Sequence, residues 1–533
     1  ELQCFELQAR MKTGNRIYLL EDIRSVWLSG KSLPQQCDPA FALLYKSNLM
    51  TNELVWDRIR LAMDRGNTGL TNYLSKRLDG YYRTLAAQWV AMHHNPDSLT
   101  RKATLDDTAP GREILVYGIK RLARININRA INNWETLQEQ YQFSTREISD
   151  TNNHLAVRAA RQNHPRSKEL LDNIDNFLVN DDVFHWRLRT ALEDLDWNML
   201  RKWTTGVAPI EDIRLRWIYW QARALEQTGD FELARKAYAS IAGKRDYYGF
   251  LAADRLGIPY NLNHKPLPDN PEAKQKVAAM PGMQRAKELR ALDKNFQARR
   301  EWHHALNLMT GYEKEIAATL AVDWGWHDRA IFAVSAAHSY DDLVLRFPIP
   351  FRDIIDTQVE KNSLDAGWVY ALIRSESAFM EKVKSPAGAI GLMQVMPTTG
   401  KLTARKIGIK GFRTSDLEKA GKNVPIGSAY LREMLEKFNG NRVLATAAYN
   451  AGPNRVKRWL PKSGCMEPDI WIEKIPFNET WKYVRRVMFY ASIYDWRLQE
   501  SIKSLNQRMA SIDAPPQLKL AALSCTGQQV SYN

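Results

Sequence analysis

The chain has 533 residues, 44% of them hydrophobic, with a formal net charge of +15. That length supports large buried cores and exceeds one ordinary domain, so two to four domains are expected. No apolar run is long enough to span a membrane as a helix, and the four cysteines and ten histidines form no C-x-x-C or H-E-x-x-H spacing, which argues against structural or catalytic zinc.

The chain opens on "ELQCFELQARMKTGN", which already reads as helix, with no signal peptide in view. A processed or truncated amino terminus is therefore expected. Cys4 and Cys37 lie in neighbouring predicted helical segments. A bridge between them would close a loop of about 33 residues and add roughly 3–4 kcal/mol in the chain-entropy model. Cys465 and Cys525 could also pair, a question the sequence leaves open. Residues 1–260 read as amphipathic helices separated by short turns, many ending near a glycine. "RWIYWQARALEQTGDFELARKAYASIAG" approximates a tetratricopeptide repeat, with Trp217, Ala222, Gly229 and Ala234 at packing positions. Without a strict period, an irregular α-solenoid is predicted. "LGIPYNLNHKPLPDNPEA" at 256–273 is a candidate linker. Short helices resume over 274–345, and "RFPIPF" punctuates the chain before a third segment, 346–533.

That last segment holds about 28 Lys and Arg against about 17 Asp and Glu, so most of the positive charge is there. Such a surplus suits an anionic polymer: nucleic acid, acidic glycan or cell wall. A generally basic surface explains the charge equally well, and no nucleic-acid recognition motif accompanies it. The pattern predicts a helix over about 364–377, a Gly-rich loop or small hairpin over 384–397, and further helices in "KNVPIGSAYLREMLEKF", "NRVLATAAYNAGP" and "ETWKYVRRVMFYASIYDW". In the first of these, Val369, Leu372 and Ile373 form an apolar stripe whose next member is Glu376. Desolvation there raises a carboxyl pKa and keeps a proton available near neutral pH, as a general acid requires. A buried glutamate held by an arginine such as Arg374, or by another hydrogen bond, is the structural alternative.

The motifs "ESAF", "KSPAGAIGLMQVMP", "AAYNAGP" and "IPFNETWKYV" together resemble the catalytic domain of lytic transglycosylases, a lysozyme-like fold. The preceding helices, with "VWLSGKSLPQQCD" and "RIRLAMDRGNTGL", resemble the ring-forming domain of the long soluble members from Gram-negative bacteria. The resemblance implies a mainly all-α chain: a superhelical domain (1–260), a helical linker domain (261–345) and a lysozyme-like catalytic domain with a small hairpin (346–533). It differs from the long members in lacking their further amino-terminal helices. It implies Glu376 as the single acid/base. Ser385, Gln394, Met396, Tyr449 and Asn450 would line the glycan and peptide cleft, and Glu479 the peptide-binding part. Each has a structural reading as well: Met396 as core, Asn450 as a helix C-cap, Ser385 as the start of a turn before Pro386. Trp368, Tyr430, Trp459, Trp471, Trp481, Tyr490 and Trp496 are candidate sugar platforms, most of them expected in the core.

Glycoside hydrolysis ordinarily needs two carboxylates. The matched motifs supply one, since Glu381 is expected to point elsewhere. The family's substrate supplies the missing group through the N-acetyl of N-acetylmuramic acid. The implied reaction is non-hydrolytic cleavage of the β-1,4 bond to N-acetylglucosamine, a lyase step leaving 1,6-anhydromuramoyl ends. The rivals are a hydrolytic muramidase of the same fold and a non-enzymatic wall-binding scaffold. No cofactor is implied. The implied partners are peptidoglycan strands and their peptide stems, with cell-wall synthesis proteins as further candidates, for a monomer in the periplasm.

Overall fold

The computed structural model describes residues 1–206 and 214–515. Two compact units are present, Glu1–Thr190 and Ala191–Asn533. The architecture is the expected one, helical throughout with minimal sheet. Among the described residues no helix is long and apolar enough to cross a membrane.

The first unit is a succession of helices packed each on the next, from Leu2–Thr13 to Ser167–Asp172. Polar residues punctuate them: the side chains of Thr51, Asn67, Asp79, Thr108, Asn126 and Ser144 each accept a backbone N–H of the helix that follows. Each cap satisfies a donor the first turn cannot pair internally, worth about 1 kcal/mol. Between caps, the apolar faces merge into one core running from Cys4 to Ala159. Cys4 and Cys37 are bonded, with Cα atoms 4.8 Å apart, within the usual disulfide range. This staples the first helix to the turn Gln35–Cys37. Replacing both cysteines with alanine is expected to lower stability by about 3 kcal/mol. Denaturation with and without reductant checks it: the reductant should shift the wild type and leave the variant unmoved. The second pairing considered, Cys465 with Cys525, falls on a cysteine outside the described residues.

In the second unit, the tetratricopeptide-like segment forms Arg214–Gln227 and Phe231–Ala242, followed by Tyr247–Leu256. The predicted linker is irregular up to Pro271. Helices from Pro271–Ala278 to His327–Ala336 then enclose a separate small core around Trp302 and Trp326. Beyond Phe351 come Arg352–Lys361, Ala366–Ser377, Pro397–Lys406, Ala420–Lys437, Arg442–Ala451 and the long Asn478–Arg497. The expected hairpin is a tight loop bridged at Lys384–Ile390 and Ile390–Val395. A second, two-stranded pairing joins Cys465–Met466 to Ile512–Asp513.

A buried charge network ties Arg214–Gln227 to Pro468–Glu473. Glu473 accepts from Arg216 at 2.7 Å, Trp220 at 3.2 Å, Tyr248 at 2.5 Å and Trp481 at 3.1 Å. Nearby, Asp469 accepts from Tyr219 at 2.6 Å and from Arg223 at 3.1 Å. The guanidinium charges and carboxylates are both removed from water, so each depends on its partners.

Candidate active site

Glu376 sits one residue before the end of Ala366–Ser377. The helix begins at Asp365, which accepts from the Trp368 N–H at 2.9 Å and pairs with Arg508 and Lys503, each at 2.9 Å. Its core face is the predicted stripe: Val369, Leu372 and Ile373 are fully buried. Gly367 permits close packing on Asn478–Arg497, because a Cβ there would stand 2.5 Å from Asp495 Oδ1. After Ser377 the helix stops abruptly. Ala378 (φ 50°) and Phe379 (φ 66°) are both left-handed, a conformation costing a side-chain-bearing residue on the order of 1 kcal/mol. Ser377 Oγ accepts the Phe379 N–H at 3.1 Å and holds this turn.

Tyr483, buried on Asn478–Arg497, donates its hydroxyl to Glu376 Oε1 at 2.6 Å. Burial raises the Glu376 pKa. The Tyr483 bond and the Arg486 charge pull it back, Glu479 pushes it further up, and the result is about 7. The carboxyl is therefore close to half protonated at neutral pH, poised to give a proton and to take one back. Burial first, and then the Glu376 charge, push both Tyr483 and Tyr449 well above the ordinary tyrosine range, so both hydroxyls stay protonated. The arginine alternative fails on geometry: Arg374 Nε donates to the Arg346 carbonyl at 2.8 Å. Glu381 also turns aside, accepting from the Ala420 N–H at 3.2 Å.

The loop after Glu376 is braced from within. Ser385 exchanges backbone contact with Ala389, donating to its carbonyl at 2.9 Å, and Ser385 Oγ accepts the Ala389 N–H at 3.0 Å. Gln394, itself left-handed at φ 46°, donates to the Val383 carbonyl at 3.2 Å and the Gly391 carbonyl at 2.9 Å. Gly391 is required at φ 80°, since a Cβ would lie 2.0 Å from the Leu417 carbonyl oxygen. Buried Asn423 closes the loop from below. It donates to the carbonyls of Ile390 (2.9 Å) and Leu417 (2.8 Å) and accepts the Met393 N–H (2.8 Å).

Tyr449 donates to the Met393 carbonyl at 2.9 Å, so the "AAYN" helix end and the "GLMQ" loop meet directly. Its ring packs 5.3 Å from that of Tyr430. Asn450 Oδ1 accepts from Thr480 at 2.7 Å, tying its helix to Asn478–Arg497; the helix ends at Ala451 with Gly452 as its C-cap. Met396 is 41% exposed rather than core, and Glu479 is exposed in the first turn of its helix. Trp368, Trp471 and Trp481 are core, whereas Tyr430, Trp459, Tyr490 and Trp496 are half-buried.

Sequence reasoning missed two residues here, Tyr483 and Asn423. The first lies four residues after Glu479, on the same helix face, which was a usable signal. Replacing Tyr483 by Phe removes a bond that favours the ionised carboxylate. The Glu376 pKa should rise above about 7, moving the alkaline limb of the kcat/KM profile to higher pH while activity falls about tenfold. An unmoved limb would contradict the assignment of this bond.

Residues 353–472 match the family described as the transglycosylase SLT domain, and residues 276–343 the soluble lytic murein transglycosylase L domain. The soluble lytic murein transglycosylase of Escherichia coli K12 is 30% identical over 498 residues, covering 93% of this chain and 77% of that protein. The Salmonella typhimurium protein of the same description is 30% identical over 507 residues, covering 93% and 77%. An inactive glutamate-to-glutamine mutant of the lytic transglycosylase Slt from Pseudomonas aeruginosa superposes with a TM-score of 0.80 at 35% identity, covering 96% and 83%. A 70 kDa soluble lytic transglycosylase in complex with bulgecin A gives 0.82 at 28% identity, covering 96% and 83%.

Proposed function

Because this chain belongs to the soluble lytic murein transglycosylases, we propose that it cleaves peptidoglycan with Glu376 as its one acid and base. The observation that carries this is a carboxyl raised to about 7 by burial, bonded by Tyr483 at 2.6 Å, with Glu381 turned away.

The protonated Glu376 gives its proton to the glycosidic oxygen between N-acetylmuramic acid and N-acetylglucosamine. The C1–O bond breaks, and the substrate's 2-acetamido carbonyl closes on C1 as an oxazolinium. Glu376, now ionised and steadied by the Tyr483 hydroxyl, removes the proton of the sugar's C6 hydroxyl. That oxygen attacks C1, opens the oxazolinium and closes the 1,6-anhydro ring. The proton balance is zero and no water enters. Tyr449 and Asn450 stand beside the reacting sugar, with Ser385, Gln394 and Met396 on the facing loop and Glu479 toward the peptide stem. In this scheme Ser385 and Gln394 act chiefly by fixing the loop, since their side-chain hydrogen bonds stay within it.

The chemistry is assigned to segment 346–533, with 1–260 and 261–345 as helical segments that shape access to the wall. The substrate places the enzyme in the periplasm as a monomer, beside cell-wall synthesis proteins. Digestion of intact peptidoglycan tests the reading: products one water lighter than reducing muropeptides support it, and reducing ends support the muramidase alternative.

A further inference from the structure

Far along the sequence from Glu376, helices Ala109–Ile125 and Thr145–Arg161 of the first unit border a cavity of about 450 Å³. Lys120, Arg124, Arg158 and Arg161 bring four cations to it, against the carboxylates of Asp150 and Asp182. Asp182 lies 3.8 Å from Arg161 within the lining, and Asp150 lies 3.8 Å from Arg146 and also attracts the Lys120 charge, so four cations face two carboxylates. Among the described residues, Lys120, Arg124 and Arg158 have no carboxylate oxygen within 4.0 Å. Three half-buried or exposed cations thus share one concavity without a close counter-charge.

Two acceptors stand among them. His154 Nε2 and Asn153 Oδ1 are both buried atoms without a hydrogen-bond partner, and the Asn153 residue is only 7% exposed. His154 is directed at the Lys120 backbone, and burial together with the Lys120 charge lowers its pKa to about 4. It is neutral at pH 7, so one of its two ring nitrogens is a lone-pair acceptor. An unmatched buried acceptor costs about 1–3 kcal/mol, and a ligand N–H would relieve it.

Cations without carboxylates and acceptors without donors together define the ligand's chemistry: carboxylates plus N–H groups. Inorganic phosphate offers an anion but no amide N–H. We propose that this cavity binds a short acidic peptide, whose carboxylates meet Lys120, Arg124 and Arg158 and whose amide N–H groups meet His154 and Asn153. A volume of about 450 Å³ suits a ligand of that size. This rests on the reading above in one respect: peptidoglycan stems are the carboxylate-bearing peptides such an enzyme would meet. The site would then hold the wall through the unit that does not carry Glu376.

The test is calorimetric titration of the full chain with the acidic peptide alanyl-glutamyl-alanine, its dimethyl ester and inorganic phosphate. The free acid should bind, the ester at least about tenfold more weakly, and phosphate weakly or not at all. Lys120→Gln and Arg158→Gln should each weaken peptide binding about tenfold and leave cleavage of short glycan strands unchanged. Glu479→Gln, in the cleavage cleft, should leave this binding unchanged. Circular dichroism melts confirm that the variants are folded; His154→Phe, which removes the ring acceptor and adds no charge, gives a further variant. Equal affinity for acid and ester, binding of phosphate in place of the peptide, or unaltered binding by Lys120→Gln and Arg158→Gln would overturn the proposal. None of these outcomes depends on whether the cleavage products carry anhydro ends, so the two readings fail separately.

Discussion

Glu376→Gln is expected to lower the cleavage rate at least about a thousandfold, because general acid and general base steps each contribute about 10²–10⁴-fold and one residue performs both. Substrate binding should be nearly intact, since glutamine keeps the shape and can still accept the Tyr483 hydroxyl bond seen at 2.6 Å. The loss therefore falls on kcat rather than KM. The same variant should be more stable than the parent at alkaline pH. The Glu376 pKa lies at about 7 against an ordinary glutamate value of 4.5, so folding favours the protonated form. That favourable contribution is complete below about 4.5 and is lost as pH rises through about 7. Glutamine does not titrate, so the difference in melting temperature should grow between pH 5 and pH 8. Partial exposure of the side chain limits the gain to less than about 3 kcal/mol. A variant that loses activity but gains alkaline stability would show a carboxyl held in place for chemistry rather than for folding.

The second large effect is expected at Glu473. It is 1% exposed and accepts from Arg216, Trp220, Tyr248 and Trp481. Glu473→Ala leaves the Arg216 guanidinium buried without its carboxylate and should cost about 3–5 kcal/mol. Urea denaturation of both proteins reads this directly. Burial alone would raise the Glu473 pKa, but Arg216, Arg485 and the hydrogen bonds outweigh it and hold the group below its ordinary value. Its contribution is thus present above the unfolded glutamate pKa and is lost as pH falls through the lower folded value. The gap between parent and variant should close in acid. A gap that persists unchanged there would mean that packing, not charge, is the main loss. The network also reaches the helix that carries Tyr483, through Trp481 and Arg485. Arg485 donates to Tyr248 at 2.7 Å and stacks 3.4 Å from the Trp481 ring centroid.

Much of the site was legible in the sequence because its signals are local. The apolar stripe marked Glu376 as the odd member of a core face, and the glycines of "SPAGAIGLMQ" marked a backbone-driven loop. Two kinds of feature were hidden. Tyr483 reads as one more aromatic in a helix rich in them, and only the approach of Ala366–Ser377 to Asn478–Arg497 turns its hydroxyl toward Glu376. Asn423 likewise looks like an ordinary polar residue near a helix start, yet it is fully buried beneath the catalytic loop. The Arg216–Glu473 pair spans 257 residues, a separation at which no pattern in either segment names the other. Pairing of that kind is decided by packing of whole helices, so it becomes visible only in three dimensions.

The central claim is that one carboxyl acts first as acid and then as base, with the substrate's C6 hydroxyl in the place of water. Digestion of intact peptidoglycan in ¹⁸O-water, followed by mass analysis of the released muropeptides, tests it most directly. The account predicts anhydro-terminated products that carry no ¹⁸O. Reducing-end products labelled with ¹⁸O at C1 would contradict it.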